Sequence, residues 1–212
     1  MRLVLLQQFT IKPQHSQLKN RIMKAKIFNL FILATITLFA GVANAQSVRK
    51  NSTFDIKVTG TSNLHDWTMN AKSGSIDANL NTTGSYLAGI QSLNFSMPVK
   101  NMKSESSLMD SRAYDALKAG KFPTISFKLI SATPVNPQGN KAQYKVTGQL
   151  TIAGATKDIV MIANSQKNAD GGVIFTGTQK IKFSQFGLKA PSFMFGALKV
   201  GDDVTVEYKV NL

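Results

Sequence analysis

The side chains best equipped for chemistry stand together in Gly60-Thr61-Ser62-Asn63-Leu64-His65-Asp66-Trp67. An imidazole titrates near neutral pH, so His65 could move a proton or hydrogen-bond a polar group. Asp66 could orient it, and the pair could form a weak acid–base centre. Trp67 could line the mouth of a ligand site. The same segment also reads as a loop in which Asp66 merely steadies His65 and Trp67 packs on the end of the fold. Little else points to catalysis. The chain has no cysteine and two histidines, His15 and His65. Zinc sites need three or four nitrogen, sulfur or oxygen ligands, and no cluster supplies them. H-E-x-x-H, G-x-S-x-G and phosphate-binding glycine loops are all missing. Asp202-Asp203 reads as a turn at the start of a strand rather than an acid pair. The expectation is a protein that is not an enzyme and holds no metal or cofactor.

The remaining distinctive side chains are aromatic. Phe183, Phe186, Phe193 and Phe195 cluster near the C-terminus, with Phe95 and Phe127 earlier in the chain. Such a cluster packs a core, and a lipid cavity needs the same residues.

The elements that must position these residues come from a period-two pattern. Leu93, Phe95, Met97 and Val99 alternate with Asn94, Ser96, Pro98 and Lys100. Successive side chains of a strand point to opposite faces, so this run has one apolar and one wet face. Similar runs fall at 53–59, 74–81, 91–100, 123–132, 142–152, 157–165, 172–184 and 202–211. Segments 134–140 and 168–172 carry the Pro, Asn, Asp and Gly of hairpin loops. Gly148 interrupts an apolar face, where a bend or bulge is expected. Ser107 to Ala119 has helical spacing, with Ser106 or Ser107 to cap it and Gly120 to end it. The predicted class is all-β: an eight-stranded antiparallel barrel with one short helix between strands 3 and 4, able to cover one mouth. A barrel of eight strands is filled by side chains or holds one small ligand. The pattern alone leaves both open.

The first 45 residues read as separate from this fold. Met23-Lys24-Ala25-Lys26, the apolar stretch Ile27 to Val42 and Ala43-Asn44-Ala45 match a secretory leader cleaved after Ala45. The apolar stretch is short for a membrane span of about 20 residues. Residues 1–22 fit no targeting pattern and read as a mis-assigned extension upstream of Met23. The expected domain is 46–212, in the periplasm or secreted. Removing 1–45 takes six Lys/Arg and no acid, leaving 19 bases against 11 acids, a formal +8. The lysines are scattered singly along the strands, which serves solubility and guards edges. They also allow peripheral contact with an anionic membrane. No basic stripe with interleaved aromatics suggests nucleic acid. Monomer and homodimer are both open.

Several stretches, in order, resemble the YceI-like family, the lipocalin-like polyisoprenoid-binding proteins of bacteria. They are Gly60 to Trp67, Tyr114-Asp115-Ala116-Leu117-Lys118 with Phe122-Pro123-Thr124-Ile125-Ser126-Phe127, Gly148 to Lys157, and Phe186-Gly187-Leu188 with Gly201-Asp202-Asp203-Val204. Together they cover the chain from about Thr53 to Leu212. The resemblance implies a lipocalin-like barrel, export, no catalytic centre and an apolar pore holding an isoprenoid chain. Two departures bear on a head group. Many members carry histidine where this chain has Ala153. Many carry Arg-Asp-x-His-Leu where it has Ser107-Leu108-Met109-Asp110-Ser111.

On this reading the pore is lined by Trp67, Phe95, Met97, Phe127, Val146, Leu150, Phe175, Ile181 and Phe183, with His65 as a possible head-group contact. The expected ligand is a polyisoprenoid or an isoprenoid quinone. The competing expectation is a structural or interaction barrel whose interior is filled.

Overall fold

The computed structural model describes residues 45–49, 52–83 and 86–212. The expected upstream extension, 1–22, and the expected leader, 23–45, lie outside the described residues except for Ala45, which begins the first strand.

One antiparallel sheet dominates. Its strands are β1 (Ala45–Arg49), β2 (Thr53–Ser62), β3 (Trp67–Ala71), β4 (Ser75–Thr83), β5 (Tyr86–Pro98), β6 (Thr124–Pro134), β7 (Lys141–Ile152), β8 (Ala155–Lys167), β9 (Val173–Lys182), β10 (Ser192–Phe193) and β11 (Leu198–Asn211). Their order is β1-β4-β5-β6-β7-β8-β9-β11-β2-β3, with β10 paired to β11. The eight expected strands are all present, as β2, β4 to β9 and β11. Three more raise the count. Trp67–Ala71 is short and follows its loop directly, so five residues of alternation gave too weak a signal. Ser192–Phe193 is only two residues long.

Other boundaries moved as well. Val99–Asn101 and Phe183–Phe186 are 3₁₀ turns rather than strand ends. Phe183 therefore stands just beyond β9 and not within it. The last strand begins at Leu198, four residues before the expected start, with its bulge between Val200 and Val204. The Asp202-Asp203 pair consequently sits inside β11.

The helix α1 runs from Ser107 to Ala116 between β5 and β6, and Ser106 caps it by accepting from the Met109 amide. It stops short of the expected Ala119. Lys118 takes a left-handed φ of 54° there, so the helix ends before Gly120 is reached.

Alternation sets the register, and the register builds the interior. Ile76 faces Phe95, Phe95 faces Phe127, and Phe127 faces Leu150 across four neighbouring strands. On the far side Val206 stands between Val58 and Gln179. These rows leave three inward glycines, Gly60, Gly148 and Gly177. Each is covered by an aromatic ring. A Cβ on Gly60 would lie 2.2 Å from the Trp67 ring, one on Gly148 2.2 Å from Phe127, and one on Gly177 2.2 Å from the Tyr208 hydroxyl. Lacking side chains, the glycines let large rings lie flat against the wall. The predicted irregularity near Gly148 is a register shift in its partner strand, between Leu129 and Ser131.

The two ends differ. Loops 135–140 and 168–172 lie at one end, which is packed solid. Leu80, Tyr144 and Val173 are fully buried there, and the Tyr144 hydroxyl donates to the Leu87 carbonyl. The loop 63–66, the helix and residues 183–197 lie at the other.

Two places interrupt the ladder. Between β3 and β4 there is no continuous pairing among the described residues. Asn70 instead exchanges backbone hydrogen bonds with Lys103 (2.7 and 2.8 Å), and Ser52 Oγ donates to the Ile76 carbonyl. The β8–β9 ladder runs only over Ala163–Lys167 against Gly177–Val173. Above it, β8 stays on β7 and β9 stays on β11.

Candidate functional site

The interior is hollow. A chamber of about 420 Å³ occupies the helix end, and a second of about 170 Å³ lies deeper. Ile56, Phe95, Leu150, Ile181 and Val206 line both, so the two are neighbouring spaces divided by one ring of apolar side chains. The upper volume falls within the roughly 300–1,000 Å³ of small-molecule pockets. The filled-barrel alternative does not describe these residues.

Every candidate named from the sequence stands on a chamber wall. Trp67, Met97, Phe183 and His65 line the upper chamber. Phe127, Val146 and Phe175 line the lower one. Phe95, Leu150 and Ile181 line both. Phe95 is held edge-on by Phe54, with ring centroids 5.2 Å apart and planes at 80°, a favoured aromatic geometry.

Trp67 is half-buried, its indole on Gly60 and its Nε1 donating to the Thr61 carbonyl at 3.2 Å. His65 is exposed, and its Nδ1 lies 2.7 Å from the main-chain carbonyl of Asp66. The contact uses the Asp66 backbone and not its carboxylate, so the geometry is not that of an acid–base pair. Asp202 and Asp203 also diverge. Asp202 accepts from the Ser184 amide and hydroxyl, and Asp203 pairs with Lys182 at 3.0 Å. Those hydrogen bonds from Ser184 hold the Asp202 carboxyl below its ordinary range.

Sequence reasoning foresaw the helix and His65 but missed the helix's wall residues and the rest of the polar rim. Met109, Ala113, Ala116 and Leu117 of the helix region face the upper chamber. Their i, i+4 and i+3 spacing was a readable signal, but it was read only as a lid. Arg112 on the same helix stacks over the Phe193 ring, 4.3 Å from its centroid. The polar residues around the upper chamber are Ser62, His65, Ser106, Arg112 and Lys182. They are all at the helix end, so the site is apolar within and polar at its mouth. In the lower chamber Tyr208 directs its hydroxyl to Met161 Sδ at 3.4 Å, and burial pushes its pKa up to about 12.

The helix is anchored by Asp110. Its Oδ1 accepts from the Ser104 amide and hydroxyl at 2.7 and 2.8 Å, and Lys103 approaches Oδ2 at 3.4 Å. Burial opposes its ionisation, but these partners together outweigh it and hold the carboxyl below its usual range. Among the described residues no three His, Cys, Asp or Glu side chains converge in a metal-ligating group.

A family model described as the YceI-like domain matches residues 9–212. No curated protein sequence matches the chain. The chain is also similar to solved structures, among them the following three. Burkholderia cenocepacia BcnA has a TM-score of 0.59 at 20% identity, covering 76% of this chain and 96% of its own. A Campylobacter jejuni YCEI protein has a TM-score of 0.50 at 26% identity, over 65% and 80%. A polyisoprenoid binding domain from Saccharophagus degradans, implicated in plant cell wall breakdown, has 0.53 at 11% identity, over 79% and 97%.

Proposed function

We propose that this chain, which belongs to the YceI-like domain family, carries a polyisoprenoid or an isoprenoid quinone in its two chambers, outside the cytoplasm. The observation that carries the reading is the pair of adjoining spaces walled mainly by apolar side chains, with the charged groups Arg112 and Lys182 only where the upper one meets water. A long apolar chain gains about 0.8 kcal/mol for each CH₂ taken out of water. Such a site needs no polar recognition along its length. The Saccharophagus degradans domain of similar fold is described as polyisoprenoid binding, and the leader-like residues 23–45 support export. The reading is of a binder: the histidine at the mouth, His65, meets the Asp66 main-chain carbonyl rather than its carboxylate.

The test is organic extraction of protein purified from its own host, followed by mass spectrometry, and then titration of the stripped protein with polyprenol. The expected result is a co-extracted isoprenoid and saturable uptake of about one chain per protein. A clean extract together with no uptake overturns the proposal.

A further inference from the structure

We infer that the helix end of the barrel docks on an anionic phospholipid bilayer through an apolar rim made by Leu64, Leu108, Met194 and Phe195. All four are exposed, and Phe195 is fully so. They come from three separate segments brought to one place. The Asn63 side chain donates to the Ala197 carbonyl and accepts from the Lys199 amide, both at 2.8 Å. Arg112, one helical turn beyond Leu108, covers the ring of Phe193, the neighbour of Met194. Leu64 sits beside His65, and both His65 and Leu108 border the upper chamber. The rim is therefore the lip of the cavity.

Three observations select a membrane as the occupant. First, Leu64 on its loop and Met194 and Phe195 on a 3₁₀ turn stand beside the opening, as separate projections around a hole. Such shapes suit insertion among lipid head groups more than a flat protein face. Second, Met194 and Phe195 hold left-handed φ values of 54° and 55°. Residues other than glycine rarely adopt them, and here they carry two apolar side chains out into solvent. Third, the surrounding charge is suited to anionic lipid. Arg112, Lys189 and Lys199 have no carboxylate ion pair among the described residues, and Lys182 pairs with Asp203. Of the nearby acids, Asp110 pairs with Lys103 and Asp202 is held by Ser184, which leaves Asp66, Glu105 and Asp115, the last followed by the exposed Lys118 and Lys121. Continuity of the rim with the chamber gives the docking a purpose under the carrier reading: an apolar chain could pass between bilayer and barrel without crossing water. The rim stands independently of that reading.

The experiment is hydrogen exchange on protein purified from its host, with and without vesicles of phosphatidylglycerol and phosphatidylethanolamine. Exchange should slow at 63–66, 106–109 and 193–198 and stay unchanged at 135–140 and 168–172. Leu64→Ser with Phe195→Ser should weaken vesicle partitioning at least tenfold. Neither side chain lines a chamber, so polyprenol uptake in solution should be unaffected. Lys189→Gln with Lys199→Gln should lessen the preference over phosphatidylcholine vesicles severalfold. Unchanged partitioning of the Ser variant, protection at the opposite end, or a rim that instead joins two copies of the chain by sedimentation would overturn the inference. Failed polyprenol uptake in the unaltered protein would count against the cargo and leave the rim result standing.

Discussion

Gly148→Val tests whether the lower chamber is open because a glycine lets a ring lie flat. A Cβ at Gly148 would lie 2.2 Å from Phe127 Cζ, 2.4 Å from Cε2 and 2.8 Å from the Lys128 carbonyl. Comfortable carbon contacts lie near 3.5–4.0 Å, so the ring must retreat by about 1.5 Å. The backbone of β6 blocks one side. The free space is the 170 Å³ chamber that Phe127 already lines. The substitution should cost about 1–3 kcal/mol by overpacking and should also shorten the pore. Losing room for two or three carbons removes about 2 kcal/mol of transfer energy, or roughly a thirtyfold loss of affinity. The assay is a titration with polyprenols of increasing length, beside a thermal melt. Long chains should bind about thirtyfold more weakly, while chains short enough for the upper chamber alone should bind as before. Gly120→Ala is the control, because a Cβ there meets nothing within 4 Å. Equal affinity of Gly148→Val for long chains, in a folded protein, would refute the reasoning.

Tyr144→Phe removes the hydroxyl that holds the Leu87 carbonyl at the packed end, and should cost about 1–3 kcal/mol, read as a fall of several degrees in Tm. Asp110 supplies a pH dependence. Its folded pKa lies below the ordinary value of 3.8, so its contribution is fully present above about 3.8 and is lost as pH falls through the lower folded value. Denaturant melts between pH 5 and 2 should show this loss, and Asp110→Asn should flatten that part of the curve while lowering stability at pH 7 by roughly 1–3 kcal/mol. In the upper half of β8, residues 156–162, the amides facing β9 have no ladder partner. Hydrogen exchange there should be much faster than at 163–167; equal protection would mean that the strands pair in solution.

Much of the wall was legible because alternation reports which face is buried, whatever fills the space behind it. Phe95, Phe127, Leu150 and Ile181 follow from that rule alone. Whether the space was empty was not legible, because it depends on what sits opposite each large ring. Gly60 before Trp67 and Gly148 before Phe127 are cross-strand relations that appear only once the register is known. The resemblance to the YceI-like family pointed to hollow for a different reason. Trp67–Ala71 was lost because a five-residue strand next to its loop alternates too briefly. The mouth was read least well. Arg112 lies at least seventy residues before Lys182 and Phe193, and it takes the helix and the 183–197 segment folding onto one end to bring them together.

The central claim is that an apolar chain occupies both chambers. A crystal structure of the protein purified from its host without removing lipid tests it most directly. The account predicts continuous tubular density running from the mouth near Arg112, past Phe95, Leu150 and Ile181, into the chamber beside Phe127. Chambers closed by collapsed side chains, or holding only water after polyprenol has been supplied, would contradict it.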